Sequence, residues 1–202
     1  LSNGIQDSNM RFAVSFVDKV RTLVEQLSSI DHVKALIEQA PLYDHAVGTS
    51  LLAAVLAQAI EIDMQKTEHV LGLASFLHDI SLANDSEPLF QEDDSTMSDE
   101  QKKLFYSHAQ KSSEIVRQIP GIEPATIQAI AQHHSKLVPN TVNTSVPVRV
   151  HRFAEIIEIS EAFDRFLRHN QSKPISIVYE LVEKKLLSHV SRQIAYGFRT
   201  AF

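Results

Sequence analysis

An adjacent His78-Asp79 pair stands at the end of an apolar run from Leu71 to Leu77. Neither side chain can be buried there without partners. A metal ion would satisfy both, since imidazole supplies a nitrogen and a carboxylate can bind one ion or bridge two. A lone His-Asp pair is more often the polar tip of a helix, so the other histidines decide. The chain has ten, and His45, His108 and the adjacent pair His133-His134 fall, like His78, at helix ends or on inward faces. An acid in the stretch Ile159-Ser160-Glu161-Ala162-Phe163-Asp164 completes the set. A helical bundle builds a metal site in this way, with several helices each projecting one or two ligands into its centre. The chain has no cysteine, which excludes disulfides and thiolate ligands.

The elements that must position these residues read as helices almost throughout. Glycine (5) and proline (7) are scarce among 202 residues, and apolar residues recur at helical spacing. Asp44 is placed to cap a helix from His45 to about residue 60, with positions 45, 48, 52, 55, 56 and 59 on one face. A helix over about 67–80 ends in the His-Asp pair. Residues 81–97 lose periodicity and form an acidic loop without the oxygen spacing of a Ca²⁺ site. Ser98 and Gln101 form a capping box opening a helix over about 99–118, which Pro120-Gly121 breaks. Pro124 suits the first turn of a helix running to His133-His134. Residues 135–145 are turn-like. Two more helices are expected over about 148–166 and 175–190, and the tail to residue 202 is weakly patterned. Upstream, the sequence predicts an amphipathic helix over 9–28 and a shorter one over 31–40, ended by Pro41.

With 44% apolar residues the chain can bury a sizeable core. A net charge of −6 argues against a face for a nucleic-acid polymer. No apolar run reaches membrane-spanning length and no signal peptide is visible. With the lack of cysteine, this makes a cytoplasmic location the expectation. A chain beginning at Leu1 can be read as a piece of something longer. The helix over 9–28 reads equally as a packing helix or as a linker to an upstream domain, through either of which a homodimer could form. The division expected is 1–41 as linker or packing helices and 42–202 as the functional domain.

The ordered set His45, His78-Asp79, His108, His133-His134 and the acid of Ile159 to Asp164 resembles the HD-GYP branch of the HD-domain metal-dependent phosphohydrolases. Ala74-Ser75-Phe76-Leu77-His78-Asp79-Ile80 is similar to its HD motif, and Glu155 to Asp164 to the segment carrying its last ligand. The resemblance covers about residues 42–190. It implies an all-α HD-domain helical bundle around a metal site, with two divalent ions, Fe or Mn foremost and Zn also compatible. By that resemblance His45, His78, Asp79 and Glu161 hold one ion, and Asp79 bridges to a second held by His108, His133 and His134. His78 and Asp79 are the catalytic pair, and a bridging water is the nucleophile. The expected substrate is cyclic di-GMP or another phosphate ester, in bacterial signalling.

The sequence departs from that branch in its phosphate-binding residues. The usual last ligand, Asp, is Glu161. The lysine after the HD motif falls at Leu82, the arginine before the last ligand at Glu155, and one later basic residue at Asn170. The Gly-Tyr-Pro signature is absent, and His-His-Glu becomes His133-His134-Ser135. Lys173 and Lys111 are the cations left to contact substrate, with Arg149 and Arg152 as further choices. A divergent phosphodiesterase is the leading expectation. The alternatives are a catalytically weak or inactive module that senses a ligand or partner, and a hydrolase of another phosphate ester.

Overall fold

The computed structural model describes residues 11, 13–20, 22, 44–62, 64–82, 97–135 and 150–202. The helix expected over 31–40, the acidic loop at 83–96 and the segment 136–149, with Arg149, lie outside the described residues. Among those described the fold is all-α, without a strand. Helical residues 13–20 precede seven helices: α1 (His45–Ala59), α2 (Met64–Leu77), α3 (Asp99–Arg117), α4 (Pro124–Gln132), α5 (Arg152–His169), α6 (Ile175–Leu186) and α7 (Arg192–Ala201). A 3₁₀ turn, Ile80–Leu82, follows α2.

The helix boundaries follow local chemistry. Asp44 accepts from the Ala46 N–H at 3.0 Å and starts α1. The Ser98–Gln101 capping box starts α3 with both reciprocal bonds made. Pro124 opens α4. The His151 ring caps α5 by accepting from the Phe153 N–H, so this helix begins at Arg152 rather than near residue 148. It then runs past Phe166, the end expected for it, to His169.

α1 is the central strut. Every residue from Gly48 to Ala57 is buried, so the single apolar face expected for it widens to the whole circumference. It packs most extensively on α5, and also on α2 and α7. α4 bridges α3, α2 and α5, and α6 lies on α5. Leu52, Leu56, Ile156, Ile157, Ile159, Phe163 and Phe198 form the heart of one core.

The tail, weakly patterned in the sequence reading, carries a further helix, α7. Its inner face buries Ile194, Ala195, Gly197 and Phe198. A Cβ on Gly197 would lie 1.9 Å from Cγ2 of Ile60. Glycine therefore lets α7 approach the end of α1 closely.

Candidate metal centre

Five elements bring the candidate residues together. His45 is the first residue of α1, directly after its cap. His78 and Asp79 follow the last residue of α2, where the chain leaves the helix. The Leu82 N–H donates to the Asp79 carbonyl at 2.8 Å and closes that turn. Ser81 ties the turn to α3: its N–H donates to Ser112 Oγ at 3.2 Å and its hydroxyl to the His108 carbonyl at 3.1 Å. These bonds hold Asp79 beside His108. His133 and His134 follow α4, and the His151 N–H donates to Gln132 Oε1 at 2.7 Å, joining that end to the start of α5. Glu161 lies within α5. Successive residues on a continuous helix point about 100° apart. Both adjacent pairs reach one site because each sits where its helix has ended.

The seven side chains form two groups. The ligand atoms of His45, His78, Asp79 and Glu161 lie within 4.8 Å of one another, as do those of His108, His133 and His134. Asp79 joins the groups. Its Oδ2 is 3.3 Å from His78 Nε2 and 3.7 Å from His45 Nε2, while its Oδ1 is 2.9 Å from His108 Nε2 and 3.8 Å from His133 Nε2. Glu161 Oε2 lies 3.6 Å from His134 Nε2 and 3.9 Å from His133 Nε2, so this carboxylate touches both groups. His78, His108, His133, His134 and Glu161 are buried, whereas the side chains of His45 and Asp79 keep 11% exposure and mark the accessible edge.

Backbone carbonyls fix the tautomers. Nδ1 of His78 donates to Ser75 O at 2.8 Å, Nδ1 of His133 to Ile130 O at 2.6 Å, and Nδ1 of His108 to Phe105 O. A carbonyl can only accept, so each Nδ1 carries a proton and each neutral ring presents an Nε2 lone pair to the centre. His45 Nδ1 donates to the Asp164 carboxylate at 2.6 Å with the same result. Burial pushes the imidazoles of His133 and His134 well below their usual range, and that of His78 below it. Burial also lowers His108, but its hydrogen bond and charge interaction with Asp79 win and raise it. Burial alone would raise the Asp79 carboxyl. The surrounding histidines, His78 first, override it and hold Asp79 well below the carboxylate range.

The donor set fits divalent metal. His108 Nε2 lies 3.0 Å from His133 Nε2 and 3.2 Å from His134 Nε2. One proton on His108 could serve only one of Asp79, His133 and His134, and would leave other lone pairs facing. Nitrogens at right angles around an ion at about 2.1 Å are about 3 Å apart, which matches. His78 Nε2 and both Glu161 oxygens are buried without a hydrogen-bond partner, a cost that a cation removes. Oxygen and nitrogen donors without sulfur suit Fe, Mn or Zn.

Two supporting residues were not singled out in the sequence. Asp164 is fully buried, and besides holding His45 it accepts from Arg168 Nε at 2.6 Å and Nη2 at 3.2 Å. Gly48 makes room for this pair: a Cβ there would lie 2.2 Å from Asp164 Oδ1 and 3.1 Å from Arg168 Nη2. The spacing of Asp164 and Arg168, four residues apart in a helix, was the available signal. Lys111, Lys173 and Arg152 are exposed and stand outside the buried group. Leu82 is buried. Glu155 accepts from the Ser191 N–H at 3.2 Å, and Asn170 donates to Phe166 O at 2.9 Å. A separate cavity of about 290 Å³ between residue 14, α2 and the turn at 120–123 shares no residue with the cluster.

The sequence profile of the HD domain matches residues 42–195. The chain belongs to the HD-domain family. HD domains bind divalent metals and act on phosphate esters, and this chain carries candidate His/Asp/Glu ligand clusters. The same fold is seen in a solved structure described as Bd1817, a HDG"Y"P protein from Bdellovibrio bacteriovorus. The TM-score is 0.63 at 17% sequence identity, with 93% of this chain and 69% of that one covered. A search of curated proteins gave no match. No helix among the described residues is long and apolar enough to cross a membrane.

Proposed function

We propose that this HD domain binds two divalent ions and hydrolyses a phosphodiester bond, as a divergent member of the HD-GYP branch acting on cyclic di-GMP or a related phosphate ester. The observation that carries this reading is the pair of facing donor groups sharing Asp79, with lone pairs that only cations reconcile. His45, His78, Asp79 and Glu161 would hold one ion, and His108, His133 and His134, with Asp79 as the bridge, the other. Ions held there supply Lewis-acid activation of water and neutralise charge on the phosphate. The chain contributes by preorganisation. Three backbone carbonyls and Asp164 keep protons on Nδ1 atoms and direct Nε2 atoms inward. The buried surroundings exclude bulk water, which strengthens charge interactions with an incoming phosphate. The partly exposed edge at His45 and Asp79 is where substrate would enter.

A second reading is supported by the positions where the branch usually carries cations. Leu82 is buried and apolar, Glu155 is bonded to the backbone of Ser191, and Asn170 to that of Phe166. A domain with its metal cage but few phosphate contacts fits a sensing module. The test is a hydrolysis assay on cyclic di-GMP and on bis(p-nitrophenyl) phosphate, with Mn²⁺ or Fe²⁺ supplied and metal content measured. Turnover that vanishes in the Asp79→Asn variant supports the enzyme. Bound metal and bound nucleotide without turnover support the module. Protein that takes up no metal overturns both.

A further inference from the structure

Arg165 lies in α5, one helical turn beyond Glu161, and its side chain is 10% exposed. Charged side chains are rarely buried without full pairing. Arg165 Nη2 stands 3.4 Å from Glu161 Oε1, beyond the ordinary range of a charge-assisted hydrogen bond. Its Nε is buried and has no hydrogen-bond partner. The guanidinium lies 5.3 Å from the centre of the Phe105 ring. That ring in turn packs against His108 and His134 at 5.1 and 4.9 Å, which orients the planar fork beside the histidine group. The Arg165 charge also acts on His134, where it disfavours a second positive charge.

The neighbouring arginine behaves differently. Arg168 is held by two bonds to Asp164. Of two arginines three residues apart, one is committed to positioning His45 and the other keeps an unused donor next to the centre.

We propose that Arg165 is the anion-binding cation of this centre, the side chain that meets a phosphate oxygen of the substrate and takes the place of the cations missing at Leu82 and Asn170. The inference rests on the metal-binding reading above. A planar guanidinium with an unused N–H matches a phosphate oxygen in shape and charge. The same positive charge opposes cations in the neighbouring cage. Removing it therefore shifts the affinities for metal and for phosphate in opposite directions, whereas a residue that only braces α5 would weaken both.

The test uses the full chain, with Mn²⁺ followed by its electron paramagnetic resonance signal and orthophosphate titrated calorimetrically into the Mn²⁺-loaded protein. Arg165→Gln is expected to bind Mn²⁺ as tightly as wild type or more tightly. Its phosphate affinity should fall about tenfold or more, the loss of one charge-assisted hydrogen bond. Arg165→Met, an apolar replacement suited to burial, carries the same test should the Gln variant fail to fold. Unchanged phosphate affinity with Mn²⁺ still bound overturns this inference and leaves the metal reading standing. Parallel loss of Mn²⁺ and phosphate assigns Arg165 a bracing role and also overturns it. Wild-type protein that binds no Mn²⁺ overturns the metal reading and this inference with it.

Discussion

Replacing Gly48 by alanine should damage the metal centre from inside α1. An added Cβ meets Asp164 Oδ1 at 2.2 Å and Asp164 Cγ at 2.9 Å, where the atoms must separate. Asp164 cannot swing freely, because Arg168 grips both of its oxygens and His45 Nδ1 grips Oδ2. The movement should strain or break the bond to His45, and a hydrogen bond to a charged group is worth about 1.5–3 kcal/mol. Alanine gains about 1 kcal/mol over glycine in helix propensity, which offsets part of that. With strain on the Arg168 contact added, the net expectation is a loss of about 1–3 kcal/mol. For a chain of this length that is a melting point lower by about 2–12 °C. The second consequence separates this from ordinary overpacking. His45 loses the acceptor that orients its ring, so Mn²⁺ affinity measured calorimetrically should fall about 10–100-fold, as is usual when such an outer partner is lost. Gly48→Ala protein that melts at or above wild type in chelator, with unchanged Mn²⁺ affinity, would refute the reasoning.

Other outcomes follow from the same contacts. At metal concentrations of 100 times the dissociation constant, wild type should gain about 2.7 kcal/mol of stability over its value in chelator. Asp79→Ala, lacking the shared carboxylate, should gain little, and equal metal-induced shifts in melting point for the two proteins would count against Asp79 as the bridge. In chelator, stability should fall as pH drops below about 6.5, because His133, His134 and His78 titrate lower in the folded protein than in the unfolded chain. Each can contribute up to about 1.4 kcal/mol per pH unit in that window. His108, raised by Asp79, acts oppositely: its contribution is complete below about 6.5 and is lost as pH rises through its folded value. A denaturant midpoint that stays flat from pH 7 to 5 would contradict this balance. Gly197→Ala should destabilise by about 1–3 kcal/mol through overpacking against Ile60, without altering metal affinity, and a metal-binding defect there would show that α7 is coupled to the centre.

Much of the site was legible in the sequence because its chemistry is carried by residue type. Histidines at the ends of separate helices, an adjacent His-Asp pair and the absence of cysteine pointed to an oxygen-and-nitrogen cage in an all-helical domain. The helix starts at Asp44, Ser98 and Pro124 were also readable, since capping is a local matter between a side chain and the next turn. α7 was also legible, since Ile194, Ala195 and Phe198 recur at helical spacing and form its buried face. The sequence placed one face of α1 inward; that the remainder of Gly48 to Ala57 is buried too depends on how many neighbours surround the helix.

Tertiary structure alone decided which charges act on the centre. Asp164 and Glu161 lie three residues apart on one helix; the resemblance pointed to Glu161 as the ligand, while the hold of Asp164 on His45 across helices is seen only in the fold. Lys111 and Lys173 were the visible cations, and folding leaves both at the surface. Arg165 and Arg168 were not among the cations weighed from the sequence, and packing of α5 beside α1 and α4 buries one and pairs the other. The type of a residue sets what chemistry it can do. Its surroundings set whether it is hydrated, paired or left with an unused donor, and in this bundle those surroundings come from helices far apart in the chain.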